Sequence, residues 1–302
     1  MVQVLSPAKI NCFLYVVGRR KDGYHNLVSL MTPLDLYDEI EIEIADKEIT
    51  YKDKIEVLCD HPKVPDGETN IAFKAASLFY KNLQLVKPGI EDRVLIKIKK
   101  KIPVGAGLGG GSSNAASVLM VLNSLYDNIF SKSQLMETAL LLGADVPFFI
   151  CGTTAVVRGI GERVEKCNAL MPYHVLVCYP GVSASTAKVF KNIDIKLTSG
   201  RKLDINVRLN KWLNIWDNTL KIDVAEYLHN DLEYTAFKLY PEINQTKEEM
   251  EFVLSEKVSM TGSGSSLFAF FTDYGKAKKA HSLLLDRFKG STKEVFLTSF
   301  KT

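Results

Sequence analysis

Apolar and polar positions alternate along several stretches of this chain. Ile40, Ile42 and Ile44 alternate with Glu39, Glu41 and Glu43, the signature of a half-buried strand. Val94, Ile96 and Ile98 alternate with positions that become Lys97 and Lys99, so the strand over 94–101 keeps one wet face and suits an antiparallel sheet. The same reading places strands at residues 2–6, 11–17, 38–44, 153–157, 174–179, 268–271 and 293–299. Thr69 reads as the N-cap of a helix running to Asn82, and a second helix is expected over 113–126. Ser131 with Gln134 forms a capping box for a third, which ends near Gly143. Further helices are expected near 185–191, 206–214, 223–238, 246–256 and 274–288. Strands and helices mix without strict βαβ alternation, so the fold class is α+β.

Between the lysine-bearing strand and the apolar helix runs Pro103-Val-Gly-Ala-Gly-Leu-Gly-Gly-Gly-Ser-Ser113, with five glycines in the seven positions 105–111. Glycine lets a backbone approach a ligand closely, and successive N–H groups in such a turn form an anion nest. A helix start directly after it adds free N–H donors and the positive end of the helix dipole, so the stretch suits a phosphate. It is not a Walker A loop, because no Gly-Lys-Ser/Thr follows. Gly105, Gly107 and Gly110 satisfy the dinucleotide pattern G-x-G-x-x-G. The preceding strand argues against that reading, since a Rossmann first strand is buried on both faces and continuously apolar. The Lys97, Lys99, Lys100 and Lys101 cluster reads either as a solvated strand edge that discourages aggregation or as a cationic fence beside a nucleotide.

Composition narrows the class. The 302 residues are enough for two domains, and 46% apolar with 24% charged residues is ordinary for a globular protein. A net charge of +3 gives no reason to expect nucleic acid or an anionic membrane. Five scattered cysteines without CxxC spacing read as free thiols in a reducing compartment. No window reaches the roughly 18 apolar residues of a membrane span. The N-terminus lacks a basic-then-apolar leader, so a cytoplasmic protein with no obligate protein partner is expected.

Pro103, Gly107, Leu108 and the run Gly109 to Ser113 followed by Ala115-Ala116 resemble the phosphate loop of the GHMP kinases, whose members phosphorylate small alcohols. One branch is matched further by Ser6-Pro7-Ala8-Lys9-Ile10-Asn11, Gly18-Arg19-Arg20-x-Asp22-Gly23-Tyr24-His25 and Leu34-Asp35-Leu36-Tyr37-Asp38. Gly143-Ala144-Asp145-Val146-Pro147-Phe148-Phe149, Asn230-Asp231-Leu232-Glu233 and Thr261-Gly262-Ser263-Gly264-Ser265 continue the match. That branch acts on a cytidine-diphosphate-linked sugar alcohol of the non-mevalonate isoprenoid pathway. Only about 193–227 matches poorly.

The resemblance implies a two-domain GHMP kinase fold, residues 1–160 binding ATP and 161–302 completing it, with the active site in the inter-domain cleft. It implies ATP and Mg²⁺ and a small-molecule acceptor. Lys9 and Asp145 match the lysine and aspartate that face each other across the acceptor hydroxyl. ATP would be held by Pro103, Gly105, Ala106, Gly107, Leu108, Gly109, Gly110, Gly111, Ser112 and Ser113, with Asn70 and Lys101 near adenine or ribose and Mg²⁺ near Ser113. Tyr24 and Phe190 match the positions that sandwich cytosine, His25 reads its polar edge, and Asn11 and Thr186 touch the rest of the acceptor. Gly262, Ser263 and Gly264 form a third motif that closes over the phosphates. Read without the family, Asp145 is an ordinary turn aspartate, Phe190 a core aromatic, Lys9 a snorkelling edge lysine, one of the two serines a helix N-cap, and Gly262 to Ser265 a tight hairpin turn. A kinase for another small alcohol has no use for the Tyr24, His25 and Phe190 set, and a non-catalytic relative would have lost Lys9, Asp145 or the glycines.

Overall fold

Two long strands, β1 (Val2–Arg19) and β2 (His25–Ala45), carry the chain through both of the units into which it divides. The computed structural model describes residues 1–45, 54–167, 170–193, Trp212 and 221–301. One unit comprises Met1–Ala8, Leu36–Val104 and Gly109–Gly152. The other comprises Lys9–Asp35, Gly105–Leu108 and Thr153–Thr302. These are not the contiguous halves 1–160 and 161–302, because each long strand gives one end to each unit.

In the first unit, β3 (Ile55–Cys59) and β4 (Arg93–Lys99) join the end of β2, with β4 between them. β4 runs antiparallel to β2, setting Ile98 opposite Ile40 and Ile96 opposite Ile42, and parallel to β3. The isoleucines are buried, while Lys97 and Lys99 stay exposed. α1 (Ile71–Val86) and α2 (Gly110–Leu125) pack together through Ala72, Ala75 and Ala76 on one and Ala115 and Ala116 on the other, all buried. Small residues at such a contact let two helices approach closely. α3 (Lys132–Leu140) and the short α4 (Val146–Cys151) complete the layer, with α4 packed on α2 and α3.

In the second unit, β5 (Ala155–Gly159) pairs antiparallel with Leu27 to Met31 of β2 and with β6 (Arg163–Lys166). A separate antiparallel sheet runs in the order β11-β7-β10-β9, formed by β7 (His174–Tyr179), β9 (Ser259–Met260), β10 (Leu267–Phe271) and β11 (Glu294–Ser299). β8 (His229–Asn230) lies parallel to Phe13 and Leu14 of β1. The helices are α5 (Thr186–Asn192), α6 (Glu233–Leu239), α7 (Pro241–Leu254) and α8 (Tyr274–Arg287). Leu14, Leu176, Val189, Ile243, Met250 and Leu267 belong to one buried cluster, each worth about 1.5–3 kcal/mol on burial. Among the described residues no helix is long and apolar enough to cross a membrane.

Several expectations need correction. The first helix is capped by Asn70, not Thr69: the Asn70 side chain accepts from the N–H of Ala72 at 2.9 Å. α2 begins at Gly110, three residues before the position read from its apolar run, so neither Ser112 nor Ser113 is its N-cap. The lysine-bearing strand is interior rather than an edge, because β3 covers it. The single helix expected over 223–238 is a 3-10 turn at Ala225–Tyr227, then β8, then α6, since residues 229 and 230 pair with β1. The helix expected at 206–214 lies outside the described residues apart from Trp212.

Candidate active site

The glycine loop passes from one unit to the other and back, and each part is held locally. Within the first unit, Gly109 adopts φ +72 as the N-cap of α2. The first helical bond joins the Ser113 N–H to Gly109 O at 2.9 Å. The N–H groups of Gly110, Gly111 and Ser112 head the helix and have no intrahelical acceptor. The Ser113 N–H is therefore spent, and its hydroxyl accepts from Ser6 at 2.8 Å.

Within the second unit, Gly105 to Leu108 nests against the third motif. A Cβ on Gly107, whose φ is +76, would stand 2.6 Å from Thr261 O and 2.7 Å from Gly264 O, so only glycine fits. Ser266 N–H donates to Ala106 O at 2.9 Å, and Asn230 Nδ2 donates to Met260 O and Gly262 O, both at 2.8 Å. Asn230 thus fixes the third motif, a role that sequence reading did not assign to the Asn-Asp-Leu-Glu run. Its neighbour Asp231 accepts the Val16 N–H at 2.7 Å and anchors β1.

Lys9 sits in β1 between fully buried Ala8 and Ile10 and is itself 3% exposed, so it is no snorkelling edge lysine. Its backbone N–H donates to Leu108 O at 2.9 Å, and its Nζ donates to Asn11 Oδ1 at 2.7 Å. Asn11 accepts also from Thr261 Oγ1 at 3.3 Å and donates to Ser29 Oγ at 2.8 Å. A Cβ on Gly262 would lie 3.3 Å from both Lys9 Nζ and Asn11 Oδ1. The structure therefore gathers Lys9, Asn11, Gly107 and Gly262, and it spends the buried Asn11 amide on holding Lys9.

The aromatic set also falls in the second unit. His25 stacks on Phe190 with ring centroids 5.5 Å apart and planes 24° from parallel, while neighbouring Tyr24 is 61% exposed. Phe190 packs in addition against the core cluster, as the reading without the family expects. His25 Nε2 is buried without a hydrogen-bond partner among the described residues. Burial and the nearby Arg19 charge push the His25 pKa down, so the imidazole is neutral at physiological pH. Thr186 Oγ1 and Ser263 Oγ lie 2.7 Å apart, which ties α5 to the third motif.

Asp145 occupies the N-cap position of α4 with φ −85 and ψ −13, yet its carboxylate makes no capping hydrogen bond. Pro147 in the first turn fixes the backbone there. The remaining nucleotide candidates diverge. Asn70 is 4% exposed, with its side chain engaged by Ala72 N and Pro65 O. Lys101 reaches outward to exposed Glu39, whose pKa that hydrogen bond holds below the usual carboxylate range. Lys100 turns inward instead, to Asp38 and Asn114, both buried and neither picked out from the sequence as a site residue. Among the described residues no group of three His, Cys, Asp or Glu side chains could hold a metal ion. Ser113, expected beside Mg²⁺, is fully buried, with its hydroxyl accepting from Ser6.

The family profile for the GHMP kinases N terminal domain matches residues 70–153, and that for the GHMP kinases C terminal domain matches residues 219–289. The 4-diphosphocytidyl-2-C-methyl-D-erythritol kinase of Syntrophotalea carbinolica is 39% identical over 287 residues, covering 95% of each chain. The protein of the same name from Clostridium botulinum (strain Eklund 17B / Type B) is 38% identical over 298 residues, 98% of this chain and 99% of its own. A crystal structure of 4-(cytidine 5'-diphospho)-2C-methyl-D-erythritol kinase superposes with a TM-score of 0.74 at 32% identity, over the whole of both chains. A homoserine kinase from Cytophaga hutchinsonii shares the fold, with a TM-score of 0.70 at 18% identity, 99% of this chain and 94% of its own.

Proposed function

Since the chain belongs to the 4-diphosphocytidyl-2-C-methyl-D-erythritol kinases of the GHMP kinase family, we propose that it transfers the γ-phosphoryl group of ATP to the 2-hydroxyl of that substrate. The products are the 2-phosphate and ADP. The observation that carries the reading is the end-to-end kinship with these kinases.

The glycine loop supplies N–H groups for the triphosphate, those of Gly110, Gly111 and Ser112 heading α2. A Mg²⁺ carried by ATP would supply charge neutralisation for the phosphate oxygens, held mainly by phosphate and water. Asp145 accepts the proton of the acceptor hydroxyl as its oxygen bonds to the γ-phosphorus and the bond to ADP breaks. Lys9 offsets the negative charge on the transferring group. Tyr24 and Phe190 hold the cytosine ring. Neutral His25, with Nε2 unpaired, is suited to the polar edge of the base.

ADP release with ATP and Mg²⁺ tests the reading directly. Turnover is expected with the cytidyl substrate and not with mevalonate or homoserine; turnover confined to either of those would remove the cytosine assignment. Phe190→Ala is expected to raise the KM for the cytidyl substrate roughly five- to a hundredfold, the worth of one base stack, with the KM for ATP unchanged. Equal shifts in both KM values, alongside a lower Tm, would return Phe190 to a purely packing role.

A further inference from the structure

A carboxylate with no solvent exposure sits close to the start of α2. Asp38 Oδ1 accepts the backbone N–H groups of Lys101 and Ile102, each at 2.9 Å. Its Oδ2 accepts from Asn114 Nδ2 at 2.9 Å and from the Lys100 ammonium. Four donors thus satisfy this buried charge. Two of the three ammonium N–H directions of Lys100 are used, one by Asp38 and one by Asn114 Oδ1 at 3.3 Å. The Lys100 side chain is only 5% exposed.

The location of that ammonium is unusual. A Cβ on Gly110 would stand 3.1 Å from Lys100 Nζ, so the ammonium lies close beside the first residue of α2. A cation at a helix N-terminus opposes the helix dipole. Burying it there needs a counter-ion fixed beside it, which Asp38 supplies. The other groups around it are Asp60, whose carboxylate accepts the Lys100 backbone N–H at 2.9 Å, and Cys59 of β3.

We propose that Asp38 is a positioning residue for the nucleotide: it neutralises and orients Lys100 at the head of α2, so that the remaining ammonium N–H donates to a phosphate oxygen of ATP. This rests on the reading of the glycine loop as the ATP phosphate site. Lys100, rather than Lys101, is then the lysine of the cluster that addresses the nucleotide. Asp38 acts through Lys100 and does not itself touch the substrate.

The test is a double-mutant cycle on the full chain with Asp38→Asn, Lys100→Met and the pair combined. Steady-state kinetics, ADP binding by calorimetry and Tm are measured for each. Asparagine keeps the oxygen that anchors Lys101 and Ile102 and removes the charge. Each single variant is expected to raise the KM for ATP about tenfold or more, as loss of a charge-assisted hydrogen bond does, with kcat at saturating ATP far less affected. The double variant is expected to bind ATP no more weakly than Lys100→Met alone, because the two act as one unit. Additive losses, a Tm loss with unchanged KM for ATP, or an effect on kcat alone would overturn the proposal. If Asp38→Asn does not fold, Lys100→Met decides: an unchanged KM for ATP overturns the proposal and a raised one supports it. Wild-type protein that fails to bind ADP or ATP would instead overturn the phosphate-site reading itself, and the proposal with it.

Discussion

Asp145→Asn is expected to lower kcat about 10²- to 10⁴-fold, the usual worth of a general base, while ADP affinity stays within a factor of about two. The change is isosteric and removes the negative charge together with the ability to take a proton. The mount is rigid: every residue of α4 from Val146 to Cys151 is buried, and Pro147 fixes the first turn. The carboxylate is not consumed by capping α4, so its replacement costs the helix no cap. ATP affinity is preserved because the donors for the triphosphate are backbone N–H groups of the glycine loop. The variant is checked by kcat and both KM values beside ADP calorimetry. A variant with wild-type kcat and weakened ADP binding would move Asp145 out of the proton-transfer role and into nucleotide binding.

The sequence spoke clearly where local patterning decides structure. His174 to Tyr179 alternates little, yet its apolar run lies in the middle of an antiparallel sheet and was legible as a strand. The capping box at Ser131 and Gln134 forms as read, because both partners lie within one turn. Features decided by distant partners were not legible. Lys100 and Lys101 are neighbours of identical type, and one is buried because Asp38, 62 residues away, sits beneath it. The strand before the glycines looked like an edge because its cover, β3, is five residues long and carries little signal. Glycine's poor helix propensity hid the first turn of α2, where the αL backbone of Gly109 sets the start. The six residues of α4 are too few for a periodic signal and contain a proline.

The candidate site divides in the same way. The glycines and the buried lysine stand out from residue type and context, since a lysine inside an apolar strand is rare. The work of Asn11 and Asn230 does not stand out. The Asn11 side-chain amide is engaged by Lys9, Thr261 and Ser29. Asn230 holds the third motif by two hydrogen bonds to main-chain carbonyls, a duty that any polar residue of the right reach could disguise in a sequence.

Lys9→Met is expected to reduce kcat about 10²- to 10³-fold, comparable to removal of one preorganised charge-stabilising donor, with smaller changes in either KM. Methionine matches the length of lysine and tolerates burial, so strand β1 keeps its packing between Ala8 and Ile10. What is lost is a cation held in place before the reaction: its position is set by Asn11 Oδ1 at 2.7 Å, and the Asn11 amide is itself fixed by Thr261 and Ser29. A charge already oriented needs no reorganisation as negative charge builds on the transferring phosphoryl group. Lys9→Arg is expected to fail as a rescue, because a planar guanidinium does not reproduce the compact ammonium that Asn11 Oδ1 holds in this buried place. Single-turnover measurement with saturating ATP separates the two possible losses. A normal chemical step with slow product release would show that Lys9 serves binding and exchange, and that the charge on the transferring group is met elsewhere.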